Sequence, residues 1–147
     1  MKLSTRVRYG LRALLELALH YGEGSMLIKQ VAANQGISIH YLEQLFMPLK
    51  AAGLIKSQRG AKGGVMLSRP PSQIMLSEAV TALGGLTALV ECIDNGSICK
   101  RSGHCAMRDI WAEMNRSMFK IIEAKTLQDV VETQRKKTPS QPVMYNI

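Results

Sequence analysis

Apolar residues recur at three- and four-residue steps near the start of the chain, which is the spacing of one helix face: Val7, Leu11, Leu14, Leu15 and Ala18. Ser4 can cap this helix and Gly22 follows its end. Two more amphipathic segments come next, MLIKQVAANQG, which ends at Gly36, and ISIHYLEQLFMPLKAAG, which Ser38 can cap. Two helices joined by a tight glycine turn predict a helix-turn-helix. We expect Pro48 to bend or shorten the second helix, because proline lacks the backbone donor.

After Gly53 the pattern changes to short runs with β-formers, LIKSQRG and GVMLSRP. The glycines of RGAKGG between them predict a tight, mobile hairpin tip. A helix-turn-helix followed by a basic hairpin is a winged helix, so the predicted fold class is mainly α with a small β-hairpin wing. Ser77 is expected to open a fourth helix, SEAVTAL.

A long apolar stripe follows Ser102 and Gly103, at helical spacing: Met107, Ile110, Trp111, Met114, Met118, Phe119, Ile121 and Ile122. A small winged domain cannot cover so long a stripe, so we predict a C-terminal dimerisation helix that pairs two copies of the chain. If the winged helix binds double-stranded DNA, a homodimer implies a pseudo-palindromic operator, because the two copies are related by a two-fold axis. Thr126 should start a last short helix, and the polar segment from Arg135 is expected to be mobile.

These patterns divide the chain into four parts. We expect a winged helix-turn-helix DNA-binding domain over 1–84 and a cysteine loop that binds a cluster over 85–106. The dimerisation helix with a short terminal helix is expected over 107–134, and a flexible tail over 135–147. No run approaches the length of about 20 apolar residues that a membrane span needs, and charged residues interrupt the N-terminal apolar run. We therefore expect a cytoplasmic protein with no membrane partner and no small-molecule substrate.

Basic residues concentrate in the first half of the chain. Residues 1–69 carry ten of the nineteen Lys and Arg but three of the eleven Asp and Glu, while the whole chain has a net charge of +8. Such a distribution favours nucleic acid as a partner, with simple solubility as the alternative.

The helix-turn-helix and the wing supply the candidate DNA contacts. Side chains early in a recognition helix read base edges in the major groove, and arginine at a wing tip suits the narrow minor groove. As an alternative to base contacts, His40 and Tyr41 could be ordinary half-buried surface groups. As an alternative to DNA contacts, the basic residues of the wing could simply be solvated surface charges. The predicted contacts are Lys2, Arg6, Arg8, Ser38, His40, Tyr41, Glu43, Gln44, Arg59, Gly60 and Lys62.

All three cysteines, Cys92, Cys99 and Cys105, lie in the stretch CIDNGSICKRSGHC. An odd number of thiols in a reducing compartment favours metal or redox chemistry, and soft thiolates suit iron–sulphur clusters, zinc or copper(I). His104 is the nearest candidate fourth ligand, with Glu91, Asp94 and Asp109 behind it; three unrelated thiols are the alternative. A Cys nucleophile with His104 as base is disfavoured, because adjacent helical residues diverge by about 100°, so we predict no enzymatic activity.

The N-terminal MKLSTRVRYGLRALLELAL, the turn and helix QGISIHYLEQLFMPLKAAGLI, the wing RGAKGGVMLSRP and the three-cysteine loop together resemble the Rrf-type family of bacterial winged-helix regulators, from about Met1 to Gln134. GISIHYLEQLF, with Arg8 and Tyr9 upstream, is similar to the IscR branch. The resemblance implies a dimeric transcription factor that senses iron–sulphur or redox status through a cluster on the three cysteines. It favours [2Fe-2S] over [4Fe-4S].

Two features depart from the family pattern. The first two cysteines are one residue further apart than in the IscR branch, and Arg108 stands where that branch has a histidine. Arg8 stands where the NsrR branch can use an acidic ligand. Neither familiar fourth ligand is present, so cysteines that bind zinc or act directly as redox sensors remain the alternative function.

Overall fold

The computed structural model describes residues 3–85 and 88–139, and within these it has seven α-helices and one two-stranded antiparallel sheet. The helices are α1 (Thr5–Leu19), α2 (Ile28–Gln35), α3 (Ile39–Ala51), α4 (Leu76–Ala82), α5 (Glu91–Asp94), α6 (Ala106–Glu123) and α7 (Leu127–Lys137). The strands are β1 (Ile55–Gln58) and β2 (Gly64–Leu67), and short 3-10 turns cover Pro71–Gln73, Gly96–Ile98 and Ser102–His104. The mainly helical fold with a β-hairpin wing is confirmed. In the described parts of the chain, no helix has the length and apolarity needed to cross a membrane.

Side-chain caps set the starts of three helices at the positions that the sequence predicts. The Oγ atoms of Ser4 and Ser38 accept hydrogen bonds from the amides three residues later, at 3.2 and 3.1 Å. Thr126 and Asp129 form a reciprocal capping box at the start of α7. At the end of α2, Gly36 adopts a left-handed conformation with φ 66°, which glycine takes without strain. The turn into α3 is therefore fixed on both sides.

One hydrophobic core joins α1, α2, α3, the hairpin, α4 and α7. Its largest fully buried side chains are Phe46, Leu14, Leu42, Leu45, Leu49, Leu54, Ile74, Leu83, Leu127, Val7, Val31 and Val65. Helix α7 packs on α1 and adds Leu127 and Val131 to this core. The terminal helix, which the sequence analysis grouped with the dimerisation helix, thus packs on the winged domain.

Of the two effects predicted for Pro48 in the recognition helix, shortening does not occur, and bending stays a prediction. Helix α3 continues to Ala51 with Pro48 inside it. Proline removes the hydrogen bond to the carbonyl of Gln44, four residues earlier, and Gln44 is exposed, so water can satisfy that carbonyl.

Two other boundaries also differ from the prediction. Helix α4 starts at Leu76 rather than Ser77, because the Glu78 carboxylate accepts a hydrogen bond from the Met75 amide at 2.8 Å and caps the helix one residue earlier. Helix α7 runs to Lys137, past the predicted start of the tail, and its last turn is basic, which favours a helix C-terminus. The rest of the predicted tail from residue 140, and Leu86 and Thr87 ahead of the cysteines, lie outside the described residues.

Candidate functional site

The wing, formed by β1, β2 and the turn between them, is anchored to the loop that joins α1 to α2. Met26 and Val65 exchange two backbone hydrogen bonds, each 2.8 Å long. Nearer the tip, the Ser25 hydroxyl donates to the carbonyl oxygen of Lys62 at 2.7 Å. The predicted contact residues Arg59, Gly60 and Lys62 are exposed at the tip. The strands therefore hold the basic residues of the tip in a fixed position relative to the loop between α1 and α2.

The first turns of α3 present a polar surface. Ser38, His40, Glu43 and Gln44 are exposed. The side-chain nitrogen Nε2 of Gln44 lies 3.1 Å from Nε2 of His40, one turn apart, so the unprotonated imidazole nitrogen accepts this hydrogen bond. Tyr41 differs from the other four, since it is half-buried. The structure thus gathers four of the five predicted α3 side chains on the solvent side.

Helix α1 lies beside α3 and adds positive charge to the same region. The Tyr9 and Tyr41 rings meet edge to face with centroids 6.3 Å apart, and the Arg12 guanidinium lies 5.1 Å from the Tyr9 centroid. Arg6 and Arg8 are exposed, and Arg6 shares a shallow groove with the α3 residues Gln44, Met47, Pro48 and Ala51. Lys2, another predicted contact, lies outside the described residues.

The three cysteines lie on successive short elements of residues 92–105, which form the part of the predicted loop 85–106 that is called the cysteine loop below. Cys92 is in α5, Cys99 follows the turn at Gly96–Ile98, and Cys105 is the residue before α6. All three are free thiols; Cys92 and Cys105 are half-buried and Cys99 is exposed. His104, the predicted fourth ligand, is exposed in the last 3-10 turn. Periodicity did not predict these turns, because each is too short to show a repeat.

Arg108 in the first turn of α6 spans the cysteine loop. Its Nε donates to the carbonyl oxygen of Cys92 at 2.8 Å. The Ser102 hydroxyl, in the last 3-10 turn, donates to the carbonyl oxygen of Gly96 at 2.5 Å. These two hydrogen bonds connect parts of the loop that are distant in sequence.

The donor chemistry of the loop fits a thiophilic group, since three reduced sulphur atoms lie on one connected segment. The arrangement is less complete. No three His, Cys, Asp or Glu side chains in residues 3–85 and 88–139 are grouped to hold a metal ion.

Helix α6 carries the apolar side chains predicted to form a dimer seam. Met107, Ile110, Met114 and Ile121 are exposed by 50, 48, 41 and 66 %. Asn115 is the buried residue of this helix, and its Oδ1 accepts from the Leu89 amide at 3.2 Å. The predicted stripe is therefore divided: these four side chains are exposed, whereas Ile122 packs against the core of its own chain.

A buried carboxylate near the recognition helix was missed by the sequence analysis. Glu16 is 7 % exposed and accepts hydrogen bonds from the side-chain amides of Asn34 and Gln35 at the end of α2. The signal was available, because Glu16 lies among the buried positions Ala13 and Leu17 of α1. This network fixes α1 against the turn that leads into α3.

Comparisons with known proteins agree with this geometry. The Rrf2 family, described as iron-dependent transcriptional regulators, matches residues 3–133. Over 131 residues the chain is 41 % identical to the protein rrf2 of Nitratidesulfovibrio vulgaris, covering 89 % of this chain and 87 % of the relative. It is 37 % identical over 130 residues to the HTH-type transcriptional regulator CymR of Bacillus subtilis, covering 88 and 89 %. The solved structure of T. potens IscR matches with a TM-score of 0.79 at 32 % identity, covering 99 % of this chain and 96 % of that one.

The helix-turn-helix, the anchored wing and the long helix α6 define the class of winged-helix transcription regulators, which these comparisons share. The chain belongs to the Rrf2 family. The family model and the relative CymR are both named as transcriptional regulators, which confirms the prediction that this chain is not an enzyme.

Proposed function

We propose that this transcription regulator is a homodimer that binds a pseudo-palindromic DNA operator, and that its DNA binding depends on an iron–sulphur cluster held by Cys92, Cys99 and Cys105. The observation that carries the proposal is the pairing of an exposed polar recognition helix with a loop that holds every thiol of the chain next to the start of α6. The unpartnered apolar face of α6 supports the homodimer.

DNA recognition is assigned to α3 and the wing. Exposed Ser38, His40, Glu43 and Gln44 have the donors and acceptors that read base edges, and Gln44 can bond an adenine in bidentate fashion. Exposed Arg59 suits a narrow minor groove, while Lys62 suits phosphate. Tyr41 has a supporting role, since its ring packs on Tyr9. Arg6, Arg8, Gly60 and Lys2 complete the proposed contact set.

The wing test compares Arg59→Ala, Lys62→Ala and, as a charge-matched control, Lys125→Ala. Lys125 is exposed between α6 and α7. Arg59→Ala is expected to weaken specific binding by about 1–3 kcal/mol and relax sequence preference, whereas Lys62→Ala should lower the salt slope of log K by about 1. Binding to operator and scrambled duplexes across salt concentrations measures both effects. If Arg59→Ala binds as the control does, the wing does not read DNA.

Cluster binding is assigned to the cysteine loop because its three thiols are soft, reduced donors that lie close together in the sequence. A bound cluster would supply redox and ligand-exchange chemistry at this position. The protein's part is to hold Cys92 and Cys105 half-buried at α5 and the start of α6, with Cys99 on the exposed turn between them. His104 is the proposed fourth donor. The family resemblance favours a [2Fe-2S] cluster.

Anaerobic purification and reconstitution test the cluster directly through iron, sulphide and visible absorption. Cys92→Ala, Cys99→Ala and Cys105→Ala should each abolish the absorption, and the resulting apo-protein should differ from holo-protein in operator affinity or site preference. His104→Ala should leave a more labile chromophore. Wild-type protein without iron or sulphide after reconstitution, or holo and apo forms that bind every operator alike, would exclude cluster sensing and leave the DNA-binding assignment intact.

The second candidate is a regulator whose thiols bind zinc or react directly with oxidants. It is supported by Arg108, which stands where the IscR branch has a histidine ligand, and by the exposure of Cys99, whose thiol is open to oxidants. Such protein would be colourless. Metal analysis and thiol counts before and after oxidation separate zinc binding from thiol oxidation.

A further inference from the structure

The contact between Arg108 and Cys92 joins the first turn of α6 to the start of the cysteine loop, 16 residues earlier in the sequence. Arg108 is half-buried, and Nε is the atom of its guanidinium that donates to the Cys92 carbonyl oxygen, at 2.8 Å. The same guanidinium lies against the turn at Gly96, because a Cβ placed on Gly96 would be 3.4 Å from Nη2 of Arg108. One side chain therefore contacts both the first cysteine's backbone and the following turn.

The turn at Gly96 is also hydrogen-bonded to the segment before Cys105. The Ser102 hydroxyl donates to the Gly96 carbonyl oxygen, and its Oγ would lie 3.5 Å from a Cβ on Gly96. Asn95 Oδ1 also accepts from the Ser97 amide at 3.1 Å, which shapes the turn locally. The contacts of Arg108 and Ser102 thus converge at Gly96 from both ends of the loop.

The position of Arg108 in α6 is unfavourable unless the loop compensates it. It is the third residue of the helix, where the macrodipole favours negative charge. An ordinary surface arginine there would extend into water, whereas this one is half-buried and hydrogen-bonded to a carbonyl. Arginine suits the contact because its planar group can donate from Nε while its face packs on a glycine turn; lysine can offer only the donor.

We propose that Arg108 is the positioning residue of the cysteine loop. It fixes α5, and with it Cys92, against the start of α6 next to Cys105 before any cofactor binds. The exposed Cys99 is then the donor that moves when the loop takes up its ligand. The role in cluster uptake rests on the proposed function, whereas the ordering of the cofactor-free loop does not.

The test measures the alkylation rate of each thiol by mass spectrometry in reduced, cluster-free, full-length protein. Arg108→Ala is expected to raise the rate at half-buried Cys92 by about tenfold, which corresponds to about 1.4 kcal/mol of easier local opening. The rate at exposed Cys99 should not change, and it serves as an internal control. Arg108→Lys should give an intermediate rate at Cys92. The matched control Arg101→Ala removes an exposed arginine of the same loop and should react as wild type.

Cys92 reacting at the wild-type rate in Arg108→Ala would overturn the proposal. So would equal acceleration at all three thiols, which signals general unfolding rather than release of α5. If Arg108→Ala does not fold, amide hydrogen exchange over residues 92–98 in Arg108→Lys decides, with faster exchange than in Arg101→Ala supporting the proposal and equal exchange rejecting it.

Reconstitution separates this inference from the proposed function. If wild type takes up a cluster, Arg108→Ala should lose iron to a chelator several-fold faster than Arg101→Ala, and equal loss would remove Arg108 from cluster uptake. If wild type takes up none, the cluster proposal fails, and the alkylation rates still decide whether Arg108 orders the loop.

Discussion

Replacing Gly64 by alanine should loosen the wing from the body of the domain. Gly64 begins β2 and faces the backbone of Met26. A Cβ at this position would overlap the Met26 carbonyl oxygen and lie 2.6 Å from its carbonyl carbon. These are backbone atoms, so no change of rotamer relieves the overlap. The strand must move away from Met26, which weakens the two 2.8 Å hydrogen bonds between Met26 and Val65.

The expected loss of stability follows from those two bonds. Each contributes about 0.5–1.5 kcal/mol net, while a glycine-to-alanine change returns about 0.4–1 kcal/mol by restricting the unfolded chain. At the middle of both ranges, about 2 kcal/mol is lost and about 0.7 kcal/mol is returned, so the net destabilisation is about 1.3 kcal/mol. For a domain of this size it lowers Tm by about 2–8 °C.

Urea unfolding followed by circular dichroism measures this loss, with Gly103→Ala as the matched control. Gly103 has no atom within 4 Å of its would-be Cβ and does not adopt a positive φ, so that variant should gain the unfolded-chain contribution alone and be about 0.4–1 kcal/mol more stable than wild type. Gly64→Ala should also bind the operator more weakly, because Arg59 and Lys62 move with the wing. Equal unfolding midpoints for the two variants would refute the anchoring described for β2.

Three further outcomes test other parts of the structure. Aspartate at both Ile110 and Met114, which are 48 and 41 % exposed on α6, should yield monomers in sedimentation, whereas a monomeric wild type at micromolar concentration would contradict the seam. Glu16→Gln keeps one accepting oxygen and replaces the other with an NH2 donor, so one of the two hydrogen bonds from the Asn34 and Gln35 amides is lost. It should cost about 1–3 kcal/mol in urea unfolding, against little change for exposed Glu23→Gln. The backbone amide at the start of α4, and then a neighbouring arginine, hold the pKa of Glu78 below its ordinary 4.5. Its stabilisation is therefore present above pH 4.5 and lost as pH falls through the lower folded pKa. Glu78→Gln should flatten the acid limb of the free energy of unfolding against pH, measured by urea unfolding, by no more than about 1 kcal/mol because the group is largely exposed.

Local signals account for the parts of the fold that the sequence predicted. The caps at Ser4, Ser38 and Thr126 and the glycine stop at Gly36 depend on neighbours within four residues, and the sequence displays all of them. The start of α4 was missed by one residue because Glu78 caps it from inside the helix, a signal that competes with Ser77.

The site was harder to predict because its contacts are not local. Arg108 reaches Cys92 across 16 residues, and Glu16 meets Gln35 across 19. From the sequence, Arg108 was noticed only as a residue that cannot be a metal ligand. An arginine that donates a hydrogen bond to a backbone carbonyl leaves no periodic pattern in the sequence. This role of Arg108 is therefore visible only in the folded loop.

The packing of α6 provides a route by which the cysteine loop could influence DNA binding. Helix α6 begins directly after Cys105 and packs on α4 and α5, while α4 packs on α1 and α3. The α4–α1 contact is close, since a Cβ on Gly10 would lie 2.6 Å from both Leu83 Cδ atoms, so α4 moves with the winged domain rather than against it. A change in the loop that moves α6 against α4 would therefore shift α6 relative to the whole domain. In the proposed dimer, such a shift alters the distance between two recognition helices that must match operator half-sites. A coupling of about 1–3 kcal/mol is enough to change operator affinity by about 5–150-fold. This geometry favours a change in half-site preference over a local change in base contacts, because the core that holds α3 remains intact.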